Sequence, residues 1–361
     1  MTSIILDAHQ DIAFNMACFR RNYRISALKQ RQLEAGTATP QRNGIATIGL
    51  PEAIAGRVAV VFSTIFTAPQ SASAGPWDCV TYADVRQAYS AGMQQMDIYH
   101  RLEDHDPRLR LVHSRADLDA VLATWADDRR VTERVQGLVI LMENADPILE
   151  PRQFEAWYER GVRVVGPAWQ ATRYSAGTGA PGRLTPLGHE LLDVLGDFGV
   201  LLDLSHMAEE AFMEALDRYP GPVIASHSNP RHFCNTDRHL SDDMIRRLAE
   251  RDGVMGIVMA NGFLQGGWKR ADGKHVITLE RVLDAIDYVC QITGSAAHVG
   301  LGSDFDGGFG AESVPSEIDT VADLWQIKAG LEGRGFSIGD VDAILSGNML
   351  RKLTDSLPET S

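Results

Sequence analysis

Residues 190–228 read ELLDVLGDFGVLLDLSHMAEEAFMEALDRYPGPVIASHS, and this stretch decides the fold. Its first part, Glu190–Phe198, repeats apolar residues at helical spacing, and Ala208–Tyr219 does so again. Two short apolar runs, Gly199–Leu204 and Pro222–Ala225, follow these helical patterns. Continuous apolar runs of this length are typical of strands in a parallel sheet that is covered on both faces. The stretch therefore predicts the order helix, strand, helix, strand.

The same alternation extends over the rest of the chain. Eight short apolar runs occur in all: Ile4–Leu6, Val58–Phe66, Gly137–Met142, Val162–Gly166, Gly199–Leu204, Pro222–Ala225, Val254–Ala260 and Val299–Gly302. Strand–helix alternation repeated eight times favours an α/β fold of the (β/α)8 TIM-barrel type over an open doubly wound sheet. The first run is also not followed by the glycine-rich fingerprint of a dinucleotide-binding fold.

One long excursion separates the second run from the third. It covers residues 68–136 and contains two helical stripes, one through Val85, Tyr89, Met96 and Tyr99 and one over Ala116–Trp125. We interpret it as a helical insertion within a single domain of residues 1–361. Residues 350–361 end in a polar, proline-containing sequence and are predicted to form a frayed C-terminal tail.

Composition and charge exclude several classes of function. The chain has 361 residues, 44% of them hydrophobic, and a formal net charge of −14. An acidic surface argues against nucleic acid and anionic membranes as partners. The N-terminal sequence lacks the pattern of a secretory signal, and no apolar stretch is long enough to span a membrane, which predicts a cytoplasmic protein. The four cysteines show no CxxC spacing, so we predict reduced, mostly buried thiols.

Polar residues that can bind metal fall at the ends of five of the eight runs. They are His9 and Asp11 after the first run, Glu143 after the third, His206 after the fifth, His227 after the sixth and Asp304 after the eighth. In a (β/α)8 barrel these ends all face one mouth, where active sites are built. Imidazole and carboxylate ligands suit zinc, and two metals about 3.5–4 Å apart can activate one water and polarise a carbonyl.

Each of these residues also has a structural explanation. A single histidine at a strand end is more often a hydrogen-bonded residue than a ligand, and Glu143 could be a paired structural charge. Asp203 is expected to support His206 or the backbone. Ser226 and Ser228 flank His227 without the GxSxG elbow of a serine hydrolase. The coincidence of five run ends favours a metal centre.

With these motifs in place, the chain resembles the renal (membrane) dipeptidase family, a branch of the metal-dependent amidohydrolase barrels. The resemblance runs nearly from end to end. The motifs that carry it are Asp7-Ala-His-Gln-Asp11, Leu184-Thr-Pro-Leu-Gly188, Gly199-Val-Leu-Leu-Asp-Leu-Ser-His206, Pro222-Val-Ile-Ala-Ser-His-Ser228, the segment from Cys234 to Asp242, Gly302-Ser-Asp-Phe-Asp-Gly307 and Gly347-Asn-Met-Leu-Arg351.

The resemblance implies two Zn²⁺ ions per chain and a role for each ligand. His9 and Asp11 would hold one zinc, His206 and His227 the other, and Glu143 would bridge them. A bridging hydroxide would attack the peptide carbonyl, with Glu143 and Asp304 as the catalytic carboxylates; Asp304 would also handle protons and the substrate amine.

Arg238 resembles the family arginine that pairs with the free carboxylate of a dipeptide. The alternative for this residue is an exposed arginine paired with Asp237 or Asp242.

The chain departs from the family pattern near the substrate rather than at the metals. Trp169 stands where the family usually has a histidine that steadies the carbonyl oxygen, and His239 stands where it often has asparagine. Asn144 and Ala145 replace glycines after the bridging glutamate. We therefore include Trp169 and His239 with Arg238 as candidate substrate-binding residues.

The sequence thus predicts a zinc-dependent dipeptidase that hydrolyses small dipeptides and tolerates a D-residue at the C-terminal position. One alternative is a metal-dependent amidohydrolase acting on another small amide or a lactone. Another is a metal-binding barrel without hydrolytic activity that has an accessory biosynthetic role. The resemblance allows a homodimer, and the expected partners are small dipeptides.

Overall fold

Eight parallel strands close into a barrel in the computed structural model, which describes residues 3–128 and 130–360. The barrel strands are β1 (Ile5–Gln10), β2 (Val58–Ile65), β3 (Gln136–Met142), β4 (Val162–Val165), β5 (Leu201–Asp203), β6 (Val223–Ala225), β7 (Val254–Ile257) and β8 (Val299–Leu301). Neighbours pair in the order β2-β1-β8-β7-β6-β5-β4-β3, and a β2–β3 pairing closes the ring. Each predicted apolar run overlaps one of these strands, so the (β/α)8 prediction is confirmed.

Helices pack around the barrel and over its ends. They are α1 (Ile12–Phe19), α2 (Ala27–Glu34), α3 (Thr39–Asn43), α4 (Leu50–Ala55), α5 (Val85–His105), α6 (Arg115–Ala123), α7 (Phe154–Glu159), α8 (Pro186–Asp197), α9 (Glu209–Arg218), α10 (Asp242–Glu250), α11 (Asn261–Leu264), α12 (Leu279–Thr293), α13 (Gln326–Gly333), α14 (Ile338–Asp342) and α15 (Asn348–Ser356). Several begin at side-chain caps. Thr185 accepts the amide of Gly188 at the start of α8, and Ser241 accepts that of Met244 at the start of α10.

The predicted helical insertion between β2 and β3 contains α5 and α6. The stripe on α5 packs inward, with Met96 and Tyr99 fully buried. The Tyr99 hydroxyl donates to the carbonyl of Thr64 at 2.6 Å and accepts the amide of Ala13 at 3.1 Å, which fixes α5 against β2 and α1. The first part of the insertion has two short paired strands, Ala68–Pro69 and Thr81–Tyr82, and the strand Leu109–Leu111 pairs with the start of β3.

The core is divided by the strand pleat into an interior and an exterior layer. Val60 and Phe62 of β2 belong to the cluster inside the barrel, while Val61 faces the surrounding helices. This alternation is what a closed sheet covered on its outer face requires.

The C-terminal residues close the amino-terminal end of the barrel. Met349, Leu353 and Leu357 are buried in the interior cluster, and the carbonyls of Pro358 and Glu359 accept the amides of Arg115 and Ala116. The prediction of a frayed tail over 350–361 is therefore wrong for residues 350–359. The polar ending of the sequence drew attention away from an apolar helical stripe, Met349, Leu353 and Leu357, which closes the end of the barrel.

The cysteine prediction is also wrong for two residues. Cys18, in α1, and Cys79, in the insertion, form a disulfide, whereas Cys234 and Cys290 are free and half-buried. The two bonded cysteines are 61 residues apart, so their spacing carries no signal. The fold brings them together because α1 follows β1 and the insertion follows the adjacent β2.

None of the helices in residues 3–128 and 130–360 combines the length with the apolar character needed to cross a bilayer.

Candidate active site

The six histidines and carboxylates that sequence analysis singled out as able to bind metal meet at the carboxyl end of the barrel. His9 lies in β1 and Asp11 follows it, Glu143 follows β3, and Asp304 lies three residues after β8. His206 and His227 follow β5 and β6 within three residues. Four of the six are at most 5% exposed, and the side chains of His206 and Asp304 are 10% and 12% exposed. A barrel places strand ends on one rim, which is why residues so distant in sequence converge.

Glu143 stands between two groups of ligands. Its Oε2 lies 3.8 Å from Nε2 of His9, and its Oε1 lies 3.3 Å and 3.6 Å from Nε2 of His206 and His227. Nε2 of His9 is also 3.8 Å from Oδ1 of Asp304. The ligand atoms of His9, Asp11 and Asp304 lie within 4.8 Å of one another, as do those of His9, Glu143 and His227. The carboxylate thus offers one oxygen to each side.

The chemistry of these residues fits divalent cations. Nε2 of His9 is buried and has no hydrogen-bond partner in the part of the chain that the structure describes. Nε2 of His206 and Nε2 of His227 face each other at 3.0 Å, an arrangement that a shared cation satisfies better than two lone pairs. A buried polar atom without a partner is costly, and a cation bound at Nε2 of His9 would remove that cost.

Burial sets the protonation states of the site. It lowers the pKa of His9, His206 and His227 well below the usual value, so the imidazoles stay neutral and can act as ligands. Burial, with repulsion from Asp11, raises the pKa of Glu143 and of Asp304 well above the ordinary range. It also raises the pKa of Asp11 to about 6. Ionising several carboxyl groups in one buried cavity is costly, and bound cations would stabilise their charged forms.

One hydroxyl orients two of the histidines. Ser226 donates its single hydroxyl proton to Oδ2 of Asp203 at 2.6 Å. Its lone pairs then face Nδ1 of His227 at 2.8 Å and Nδ1 of His9 at 3.5 Å. Both imidazoles therefore carry their proton on Nδ1 and direct a bare Nε2 at Glu143. Asp203 also accepts the amides of Ser205 and Ser226, as expected for a supporting residue.

Two threonines hold other ligands. The Thr64 hydroxyl donates to Oδ1 of Asp11, and the Thr178 hydroxyl lies 3.1 Å from Nδ1 of His206. Sequence analysis missed both threonines because each contact joins residues far apart along the chain. Only Thr64 could have been suggested by its position, because it lies near the end of β2 on the same rim as the ligands.

The turn that carries Asp304 is held in a strained backbone conformation. Asp304 and Asp306 have φ values of 59° and 61°, in the left-handed region, and His206 has a φ of 65°. Such residues persist where surrounding contacts fix them. Here Arg21 pairs with Asp306 at 2.9 Å, and Asn43 donates to the Asp306 carbonyl at 3.1 Å. A Cβ at Gly307 would approach Oδ1 of Asp304 to 2.2 Å, so only glycine fits there.

A cavity of about 470 Å³ opens above these ligands, and Arg238 lies on its wall. Arg238 is 7% exposed and donates to the carbonyl of His227 at 2.7 Å and to the Ser228 hydroxyl at 3.2 Å. Burial lowers its pKa from the usual value, while the charges of Asp304 and Glu143 act in the opposite direction. The alternative of an exposed arginine paired with Asp237 or Asp242 is therefore wrong.

The other two candidate substrate residues differ in position. Trp169 lines the cavity, with its ring centre 6.1 Å from that of His206 and 5.1 Å from that of Phe66. His239 is fully buried behind Phe263, at 4.7 Å between ring centres, and its side chain does not line the cavity. Burial lowers its pKa to about 3. Direct contact between His239 and a substrate does not follow from this arrangement.

Fold and site together define a class: a TIM-barrel metallohydrolase of the amidohydrolase type, with histidines and carboxylates at the carboxyl ends of its strands. The sequence profile of the membrane dipeptidase family (peptidase family M19) matches residues 1–356. The chain belongs to this family and is a metal-dependent dipeptidase, a hydrolase acting on peptide bonds.

The chain is also similar in sequence to individual proteins. The chain is 33% identical to an uncharacterized protein in the pqqA 5′ region of Klebsiella pneumoniae, over 72% of this chain and 94% of the relative. It is 28% identical to Dipeptidase aclJ of Aspergillus oryzae, over 76% of this chain and 62% of the relative.

A solved structure shares the fold. It is a metallopeptidase from Rhodobacter sphaeroides bound to a phosphinate mimic of the dipeptide L-Ala-D-Ala, with a TM-score of 0.77 and 20% identity. The superposition covers 99% of this chain and all of that chain.

Proposed function

We propose that this protein is a zinc-dependent dipeptidase that holds two Zn²⁺ ions and cleaves dipeptides with a free C-terminal carboxylate. The observation that carries the proposal is the placement of Glu143. Its two oxygens face different ligand groups, His9 on one side and His206 with His227 on the other. A carboxylate in this position is suited to bridging two cations, and the buried Arg238 lies on the same cavity.

The ligand sets are those that the family resemblance implies, and the distances around Glu143 are compatible with them. His9 and Asp11 would hold one ion, His206 and His227 the other, and Glu143 would contact both. Neutral imidazoles with carboxylates are ligands that zinc prefers. When bound, a pair of such ions supplies Lewis acidity toward the scissile carbonyl and lowers the pKa of a bound water.

Arg238 would restrict cleavage to dipeptides by binding the C-terminal carboxylate of the substrate. An enzyme that cleaves only dipeptides must recognise the terminal carboxylate next to the scissile bond. A guanidinium matches a planar carboxylate with two parallel hydrogen bonds. The Arg238 side chain is held by the carbonyl of His227 and by Ser228, so it is positioned before the substrate arrives.

Asp304 would handle the protons. Its Oδ1 lies 3.8 Å from Nε2 of His9, and Gly307 leaves the carboxylate open to the cavity. A carboxylate at the edge of the ligand centre suits a group that accepts a proton and then delivers it to the leaving amine. Trp169 would shape the cavity where the family usually has a histidine.

Tolerance of a D-residue at the C-terminal position is part of the proposal. Its support is the Rhodobacter sphaeroides structure, whose ligand mimics L-Ala-D-Ala. We expect L,D dipeptides to be cleaved at rates comparable to those of L,L dipeptides.

Arg238→Met tests the proposal. Removing the guanidinium should lower kcat/KM on free dipeptides by about 10²–10³, the cost of an unmade charged hydrogen bond in a desolvated site. Amidated dipeptides should be poor substrates of the native enzyme and nearly indifferent to the change. Zinc content, measured by elemental analysis, should not fall. The matched control is Arg246→Met, because Arg246 is exposed on α10 and pairs with Asp243.

Equal cleavage of free and amidated dipeptides by the native enzyme would contradict this proposal. It would favour the alternative of an amidohydrolase acting on other small amides, for which Trp169 in the cavity is the supporting observation.

A further inference from the structure

A row of aromatic side chains covers one side of the cavity. Trp169, Phe66, Phe14 and Trp77 line it, and we call these four residues the aromatic wall. Ring centres are 5.1 Å apart for Trp169 and Phe66 and 5.6 Å apart for Phe66 and Phe14. Phe19 lies behind the wall, 5.5 Å from Phe14 and 5.1 Å from Trp77. Trp169, Phe66 and Phe14 thus contact one another in sequence, and Phe19 connects Phe14 to Trp77.

The wall lies across the mouth from Arg238. Phe14 follows β1, Phe66 follows β2, Trp77 is in the insertion after β2, and Trp169 follows β4. Arg238 lies after β6, which is opposite β2 in the ring, so Phe14, Phe66 and Trp77 are on the far side of the mouth and Trp169, after β4, is at the end of the wall nearer to Arg238. A dipeptide with its carboxylate on Arg238 and its scissile carbonyl beside Glu143 directs the side chain of its N-terminal residue toward the wall.

We propose that the aromatic wall is the binding site for the side chain of the substrate's N-terminal residue, and that it selects large apolar or aromatic side chains. This inference rests on the proposed dipeptidase function. It names the substrate class: dipeptides whose first residue is bulky and uncharged.

The polarity of the lining supports this selection. Charged groups of the cavity are at the ligand centre, as with Asp11 and Glu143, on the Arg238 side, or beside Trp77, where Arg42 and Asp78 line it. The Arg42 guanidinium lies 5.9 Å from the Trp77 ring, so the apolar part of the wall is formed by Trp169, Phe66 and Phe14. The wall itself presents rings, and Ala68, Ala72 and Ala74 beside it contribute only methyl groups. A charged side chain placed there would lose its hydration to aromatic faces, whereas an apolar one gains by leaving water.

The wall is fixed in place before substrate binds. Gln95, fully buried on α5, accepts the amide of Phe66 at 3.0 Å and donates to its carbonyl. The Cys18–Cys79 disulfide ties α1, which carries Phe14, to the loop that carries Trp77. A site ordered in advance spends less binding free energy on ordering, so it discriminates better between side chains.

A kinetic series tests the proposal. Zinc-loaded enzyme is assayed on dipeptides with alanine as second residue and glycine, alanine, leucine, phenylalanine, aspartate or lysine as first. We expect kcat/KM for the phenylalanine substrate to exceed that for the glycine substrate by about 10²-fold, and the aspartate and lysine substrates to fall below leucine. A second series, with alanine first and the second residue varied, should be flatter.

Two tryptophan variants test whether the aromatic wall causes the preference for a phenylalanine over a glycine as first residue. Trp77→Leu should reduce the phenylalanine-to-glycine ratio by about tenfold, mainly through KM. The control is Trp325→Leu, because Trp325 is also half-buried but packs on Arg57 at the other end of β2. The control should leave the ratio unchanged. Phe14→Leu provides a second wall variant if Trp77→Leu fails to fold.

The outcomes separate the two proposals. Cleavage of the whole first series at similar kcat/KM, or a ratio unchanged in both wall variants, would overturn the aromatic wall as a subsite and leave the dipeptidase intact. Failure to cleave any member of either series would overturn the dipeptidase function and the subsite with it.

Discussion

At the scale of single residues, the geometry of the site depends on the direction in which the Ser226 hydroxyl donates its proton. The Ser226 hydroxyl proton is directed to Asp203, so the same oxygen can accept from Nδ1 of His227. That choice of tautomer leaves Nε2 free toward Glu143. Residues that touch no ligand can therefore decide whether a metal binds.

Ser226→Ala should weaken metal binding. Without the hydroxyl, Nδ1 of His227 loses its partner and the ring loses its fixed tautomer. Loss of such a supporting contact typically costs about 10–100-fold in metal affinity. Competition with a chromophoric chelator measures the change. The control is Ser316→Ala, because the Ser316 hydroxyl bonds only the exposed Glu317, and unchanged affinity in Ser226→Ala would contradict the role assigned to the hydroxyl.

Glu143→Gln should reduce occupancy of both metal positions together. The amide keeps the shape of the side chain but removes its charge and replaces one oxygen with a nitrogen that cannot act as a ligand. Elemental analysis of the variant after dialysis should show less than half the metal of the native enzyme. The exposed Glu332→Gln is the control. A native protein that retains a single tightly held ion, unaffected by Glu143→Gln, would argue against two bridged ions.

The ligand residues were accessible to sequence analysis, and their supports were not. His9, Glu143 and His227 stand at the ends of apolar runs, and strand ends share a rim, so their convergence follows from the fold class. Ser226 and Asp203 are 23 residues apart, on neighbouring strands. Their contact depends on the register between β5 and β6, which no local pattern reveals.

At the scale of elements, the start of the insertion forms part of the cavity. Ala72, Ala74 and Trp77 line the cavity from a segment with little regular structure. The segment is held at Cys79 by the bond to Cys18 of α1. Helical periodicity predicted α5 and α6 within 68–136, but an irregular segment has no period, and its role emerges only from its contacts.

Cys79→Ser should free this segment. Closing a loop of about 60 residues contributes roughly 2–4 kcal/mol to the free energy of unfolding, which denaturant titration measures. We also expect KM for apolar dipeptides to rise more than kcat falls, because Trp77 loses its fixed position. Cys234→Ser is the control, since Cys234 is free and half-buried. Equal KM values for Cys79→Ser and the native enzyme would show that the segment is held by its other contacts.

At the scale of the whole molecule, one end of the barrel is catalytic and the other is closed by apolar side chains. The C-terminal helix α15 inserts Met349 and Leu353 among the interior residues of the barrel. Asn348 donates to the carbonyls of Ala296 and Val299, which fixes the helix to the start of β8. The catalytic residues are thus on one rim of the barrel, and the packing that stabilises the barrel is at the other.

Leu353→Ala should lower the free energy of unfolding by about 2–5 kcal/mol, because it leaves a cavity in a closed core. Metal content and kcat should not change in the folded protein. Leu28→Ala is the control, since Leu28 is 50% exposed, and such surface changes usually shift stability by less than about 0.5 kcal/mol. Similar losses of unfolding free energy in both variants would contradict the conclusion that Leu353 closes the amino-terminal end of the barrel.

The overall architecture was predictable because eight repeats of one pattern reinforce each other. A single run such as Val162–Gly166 could be a helix segment, but eight such runs alternating with helical patterns indicate strands. The C-terminal helix was not predictable in the same way. Its apolar residues belong to the inside of the barrel, and its polar ending resembles that of an unpacked tail.

The disulfide also bears on where in the cell this enzyme works. Protein thiols are kept reduced by glutathione and thioredoxin in most cytosols, whereas disulfides persist in secreted and periplasmic proteins. Cys18–Cys79 therefore weighs against the predicted cytoplasmic location, which stays a prediction. Because the bond secures a wall of the cavity, we expect the redox poise of the surroundings to set how well the enzyme discriminates its substrates. If the Cys18–Cys79 disulfide forms as the protein matures, substrate specificity would depend on the compartment in which the enzyme works.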